Sequence, residues 1–199
     1  TILKEQESGE QKPVARLFPG DAFGEIALLD NIRRTSSARA ARDSELLALS
    51  REDFNRHVLT SLDHDTVRRR IQLAGFLRRN ELFADWHPSA INRIAQAFEP
   101  VTFNAGDVVI QEHKPNEFFF LIYEGSFEVR RKGTPVATLG PGQFCGEISL
   151  LKNIPATAEV VALTRGQCLK LGKDDFFRFI THDYLTGCIL DRTALSRIS

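Results

Sequence analysis

Laid over itself at an offset of 122 without a gap, the chain matches residues 13–58 to residues 135–180 with about 20 identities in 46 positions, far more than unrelated segments give. Pro13-Val14-Ala15 recurs as Pro135-Val136-Ala137, Gly24-Glu25-Ile26 as Gly146-Glu147-Ile148, and Asp53-Phe54 as Asp175-Phe176. A repeat of this period describes a tandem domain rather than a solenoid, so the chain has to fold as two versions of one unit, residues 1–78 and 79–199. With 42% apolar and 26% charged residues in a length of 199, there is material for two modest cores.

Lys plus Arg equals Asp plus Glu at 26 each, so no global field draws the chain to nucleic acid or anionic lipid. No apolar run approaches the roughly 18 residues of a membrane helix, and TILKEQESGEQK lacks a signal-peptide shape. These features predict a cytoplasmic protein with no membrane segment. Cys145, Cys168 and Cys188 are an odd set without ligand spacing, which predicts reduced thiols and no bound metal or other cofactor. The five histidines are scattered and face no nucleophile partner, so no catalytic residue is expected and the chain reads as a binding protein, not an enzyme.

The candidate site lies in residues 20–38, GDAFGEIALLDNIRRTSSA. The turn at Phe23-Gly24-Glu25-Ile26 leads into a brief apolar helix through Ala27 to Leu29, whose first amides lack intrahelical partners and carry the positive end of the dipole. Gly24 removes the side chain that would block close approach of a ligand. Arg34 can supply paired charge-assisted hydrogen bonds to a phosphate, with Thr35 offering a hydroxyl beside Ser36. Glu25 would repel that phosphate, so its expected partner is a hydroxyl such as a ribose 2′-OH.

With these residues in place, FGEIALL followed by RRTSSA resembles the phosphate-binding cassette of cyclic-nucleotide-binding domains, as in protein kinase A regulatory subunits and cyclic-nucleotide-gated channels. The resemblance implies that Gly24, Glu25, Ile26, Ala27, Arg34, Thr35 and Ser36 hold cAMP or cGMP. It also implies a mainly β fold with flanking helices (α+β), two eight-stranded β-rolls of jelly-roll type, and an effector such as a kinase, channel or transporter.

The second cassette keeps Gly146, Glu147, Ile148, Ser149 and Thr157, but Ala156 stands where Arg34 would recur, with Pro155 before it. A methyl group gives neither charge nor donor, so this second site is expected to be degenerate or to take another, nucleoside-like ligand. Glu147, without its charge complement, is expected either to pair with a basic group from elsewhere or to favour such an uncharged ligand. A scaffold with two degenerate rolls is the rival reading; Ala156 favours it and Arg34 opposes it. The Arg33-Arg34-Thr35-Ser36 run also fits a basophilic kinase pattern, where phosphate on Ser36 would compete with a bound nucleotide.

Around the cassettes, turn and periodicity signals place the elements. In the first copy Ile2-Leu3 should end a strand, Glu7 to Glu10 turn it, and Val14 to Leu17 return. Two more strands are expected at Ser36–Ala41 and Glu45–Leu49, then helices opening at Ser50 and spanning Leu62–Leu77. The first copy lacks its N-terminal strands, which the intact protein is expected to carry upstream. The second copy reads as complete, with a helix over Pro88–Phe98, strands near Val101–Phe103, Val108–Gln111, Phe118–Tyr123, Phe127–Arg131 and Val136–Leu139, and helices from Lys173 and Tyr184. Phe118 to Phe120 should pack rather than stack bases, since consecutive strand residues face opposite ways. Arg68, Arg69 and Arg70 read as a solvated helix face, and no nucleic-acid partner is expected. Trp86 is either core or a lid for the first site, and any late lid after Tyr184 should be aliphatic.

Overall fold

The computed structural model describes residues 1–5, 10–29, 32–34, 36–60, 62–180 and 184–198. The chain divides into two compact units, Thr1–Arg79 and Asn80–Ser199.

The second unit is a β-roll between helices. Strands β4 (Glu99–Phe103), β5 (Val108–Ile110), β6 (Phe118–Glu124), β7 (Phe127–Arg131), β8 (Thr134–Leu139), β9 (Phe144–Cys145), β10 (Glu159–Ala162) and β11 (Gly166–Gly172) form two antiparallel sheets, ordered β5-β10-β7-β8 and β4-β11-β6-β9. Alternate residues of both sheets meet in a core of Ile110, Phe120, Ile122, Phe127, Leu139, Val160, Ala162 and Cys168. Phe119 points the other way and meets Phe144 and Phe176 at tilted angles, so Phe119 and Phe120 pack on opposite faces as strand alternation requires, while Phe118, at the start of the strand, is exposed. Helix α4 (Pro88–Ala97), with Pro at its start, buries Ile91, Ile94 and Ala95, and Phe98 leaves it in extended conformation. Helices α6 (Lys173–Ile180) and α7 (Tyr184–Ile198) follow the roll. Trp86 is a core-side residue of this unit: it meets Phe83 edge-on and its indole N–H donates to Thr186 at 2.8 Å.

The first unit has three described strands, β1 (Ile2–Glu5), β2 (Gln11–Ala15) and β3 (Ser37–Ala38), in the order β2-β1-β3. Their register repeats that of the second unit, because Ile2 faces Ala38 as Val129 faces Val160. The offset is therefore 127 residues before the hairpin turn and 122 after it, making the first hairpin five residues longer. Residues 7–9 of the expected turn lie outside the described residues.

Glu45–Leu49 does not form the expected strand, and Ser36–Ala41 shortens to Ser37–Ala38. The reason is the missing neighbours. The corresponding β11 is hydrogen-bonded on one side to β4 and on the other to β6, and counterparts of those two strands would precede Thr1. Without them Leu46, Leu47 and Leu49 are exposed, Leu47 almost wholly at 99%, and a strand has no ladder to join.

Helix α2 (Arg51–Phe54) continues as a π-helical turn over Asn55–Leu59. Ser50 caps it by accepting from the Asp53 amide at 3.0 Å, as expected, but its hydroxyl, rather than its backbone N–H, donates to the Asp53 carboxylate at 2.7 Å, so the side chains meet each other instead of closing a full capping box. Helix α3 (His64–Arg78) starts at Asp63, which accepts from the Thr66 amide at 2.9 Å. Its Arg69 and Arg70 are exposed, while Val67, Leu73, Ala74 and Leu77 are buried.

Candidate functional site

Both cassettes build the same turn. Gly24 has φ +85° and Gly146 φ +89°, left-handed backbone in which a side chain is strained. Each opens a short helix, α1 (Glu25–Leu29) in the first unit and α5 (Glu147–Lys152) in the second.

In the first cassette Arg34 reaches back ten residues, and its Nη1 donates to the Gly24 carbonyl at 2.7 Å. A Cβ on Gly24 would lie 2.4 Å from that nitrogen, so the glycine is what lets the guanidinium sit on the turn. Glu25, Ile26, Arg34 and Ser36 are at the surface to differing degrees and Ala27 is buried; Thr35 lies outside the described residues. The turn is fastened from behind. Leu29 packs with Phe54 and Val67, Arg51 donates to the Ala27 carbonyl at 3.0 Å, and Asp21 pairs with Arg78 of α3 at 3.1 Å, both side chains mostly buried.

In the second cassette the same turn is walled in. A Cβ on Gly146 would meet the Phe118 carbonyl at 2.3 Å, and Asn116 donates from its amide to the Gly146 carbonyl at 3.4 Å and to that of Phe118 at 2.7 Å. Glu147 is 1% exposed. Burial pushes its carboxyl above the ordinary glutamate value, and the guanidinium of Arg197 opposes that rise. Arg197 Nη1 donates to Glu147 Oε1 at 2.6 Å and to the Phe144 carbonyl at 2.9 Å, with the guanidinium 4.9 Å from the centre of the Phe144 ring.

Ala156 is 3% exposed and part of the inter-sheet core; its amide donates to Lys114 and its carbonyl accepts from His113. A cavity of about 310 Å³ lies between this turn, Arg131 of β7 and the end of α7, and Ile148, Ser149, Ala156 and Thr157 all line it. Cys145 also lines it, its buried thiol raised well above the ordinary value by desolvation first and by Glu147 next; Cys168 is pushed up to about 12 by burial.

The structure thus brings together Gly24, Glu25 and Arg34 in one turn, and Gly146, Glu147, Ile148, Ser149, Ala156 and Thr157 around one cavity. It corrects the expectation of an aliphatic late lid: among the described residues, those of α7 that line the cavity are Ser196 and Arg197, and Arg197 is the one bonded to Glu147. The one sequence signal for it was negative, a retained Glu147 with no cation at position 156. Among the described residues no group of His, Cys, Asp and Glu could hold a metal, and no helix is long and apolar enough to cross a membrane.

The chain is similar to known proteins over most of its length. The cAMP-dependent protein kinase regulatory subunit of Yarrowia lipolytica is 34% identical over 175 residues, 87% of this chain and 44% of the relative. That of Aspergillus fumigatus is 34% identical over 170 residues, 84% of this chain and 40% of the relative. The chain therefore spans less than half the length of these relatives. The solved structure of cAMP-bound PfPKA-R superposes with a TM-score of 0.61 at 26% identity, covering 99% of this chain and 70% of that one. The profile of the cyclic nucleotide-binding domain matches residues 1–61 and 100–183, most of both repeats, and the chain belongs to the cyclic nucleotide-binding domain family.

Proposed function

We propose that this chain is a cytoplasmic ligand-sensing regulatory module in which the first cassette binds a cyclic nucleotide, cAMP or cGMP, and the second is altered. The observation that carries this reading is the contrast at one position. Arg34 is exposed at the surface of the Gly24 turn, and Ala156 is buried. Arg34 uses one N–H on the Gly24 carbonyl, and a guanidinium has others for a phosphate. In this reading Thr35 and the first amides of α1 complete the cyclic-phosphate contacts, and Glu25 accepts from the ribose 2′-OH. The relatives' names favour cAMP as ligand and a protein kinase catalytic subunit as effector over a channel or transporter.

Transmission would run through the contacts behind the turn. A ligand that favours one position of α1 also favours one position of α3, through Leu29, Arg51 and the Asp21–Arg78 pair. Binding is the whole chemistry in this reading. A second ligand class is favoured for the second cavity, because Glu147 and Arg197 already balance each other and nothing at position 156 compensates a phosphate. An uncharged hydroxylated molecule of nucleoside type fits that charge balance.

The test is calorimetry with cAMP, cGMP, adenosine and guanosine on the protein with the strands that pair residues 45–49 in place. One cyclic nucleotide per chain, lost in Arg34→Ala and kept in Glu147→Gln, is the expected result. Cyclic-nucleotide binding that survives Arg34→Ala and disappears in Glu147→Gln would overturn the assignment.

A further inference from the structure

Glu147 is a carboxylate almost wholly removed from water, and such a group needs a cation or a strong donor beside it. Its own cassette supplies none, since position 156 carries a methyl group. The cation comes instead from fifty residues downstream, where Arg197 of α7 binds Glu147 and the Phe144 carbonyl and lies against the Phe144 ring. Arg131, which lines the same cavity, donates to the Arg197 carbonyl and holds the end of the helix, where unsatisfied carbonyls favour a cation.

We propose that Arg197 is an internal stand-in for a ligand at the second cassette: it holds Glu147 until a ligand hydroxyl competes for the same carboxylate, and that competition releases the last turn of α7. The inference rests on reading the second unit's cavity as a ligand site. Arg197 commits Nη1 to Glu147 and the Phe144 carbonyl and lies against the Phe144 ring, so its attachment to the roll runs through the same carboxylate a ligand hydroxyl would use. The part that moves is short. Earlier in α7, Thr186 is bonded to the Leu82 carbonyl and to Trp86, and Leu190 and Ala194 are fully buried, so release is confined to the turn after Ala194. Ligand occupancy is thereby converted into the state of the chain that follows residue 194.

The test uses the full chain, with cAMP, adenosine and guanosine as probes, calorimetry for affinity, and amide hydrogen exchange over residues 195–198. Glu147→Gln assigns any binding to this cavity. If Arg197 occupies Glu147 in about nine molecules of ten, Arg197→Ala tightens the probe that binds there about tenfold. The same substitution speeds exchange of residues 195–198, and the probe speeds it in the unsubstituted chain. Weaker binding in Arg197→Ala, or slower exchange on adding the probe, makes Arg197 a ligand contact and overturns the proposal while leaving the site reading intact. If no probe binds either the unsubstituted chain or Arg197→Ala, the site reading itself fails and the proposal with it. Should Arg197→Ala not fold, Arg197→Lys decides: a gain of about threefold supports the stand-in role, and no gain overturns it.

Discussion

The two cassettes share a backbone and differ in what answers the glutamate. In the first, Glu25 is half-buried and an exposed cassette arginine donates to the turn carbonyl; in the second, Glu147 is buried and answered by a helix fifty residues away. The turn is a local product of Gly-Glu-Ile, whose left-handed glycine and short helix recur almost unchanged. The ion pair of the second cassette is a tertiary product, supplied by α7, whereas the arginine of the first is held by the turn's own carbonyl. One unit thus leaves its arginine at the surface, while the other sets an arginine of its own last helix against its glutamate.

The comparison can be broken hardest at the glycines. Gly146→Ala drives a Cβ into the Phe118 carbonyl, which cannot swing aside, whereas in Gly24→Ala it meets only the end of Arg34. Denaturant melts should show the second unit losing about 4 kcal/mol or more in Gly146→Ala, against about 1–2 kcal/mol for the first unit in Gly24→Ala; equal losses would mean the two turns are supported alike. Next, Arg34→Ala should weaken cyclic-nucleotide binding by about a hundredfold, the loss of a charged bidentate contact. Arg33→Ala should change it less than about twofold, and equal losses from the two would put the register of the cassette in error. Ala156→Arg should fail to convert the second cassette into the first, because it forces a guanidinium into the inter-sheet core and finds Glu147 taken; a cost of about 2 kcal/mol with no gain in cAMP binding is expected. Glu25→Gln should weaken cAMP about tenfold and 2′-deoxy-cAMP hardly at all, and equal losses would show that Glu25 shapes the loop without reading the sugar.

The smallest effect is a pH dependence. Because the folded state raises the Glu147 carboxyl, that group favours folding below the ordinary glutamate range and loses this contribution as pH rises through its folded value. The stability difference between the unsubstituted chain and Glu147→Gln should therefore decline from acid toward neutral pH. Arg197→Ala should deepen the decline, and a flat difference would mean that Arg197 offsets the burial of Glu147 completely.

The repeat, the turn, the ladder of strands and the second unit's helices were legible because each is written in contiguous residues. Glu45–Leu49 departs from its expected strand for the opposite reason. Its Leu-rich alternation describes a strand only when neighbours exist to pair it, and the repeat itself showed that the first copy lacked them. Arg197 could be anticipated as a need but not as a residue. The periodicity of Tyr184–Ile198 draws attention to its leucines, and nothing in a helix pattern marks which charged position meets a carboxylate fifty residues earlier. Asn116, which holds the Gly146 turn from another loop, was invisible for the same reason.

The three cysteines, ranked by their surroundings, make the second unit a clock for its own opening. Alkylating reagents attack the thiolate, and Cys145 at the cavity wall and Cys168 in the sheet are both buried with thiols held in the protonated form. Cys188 on α7 is exposed and reacts whatever the cavity does. The rate at which Cys145 is labelled, measured against Cys188 in the same molecule, then reports how often water and reagent reach the wall that Glu147 and Arg197 close.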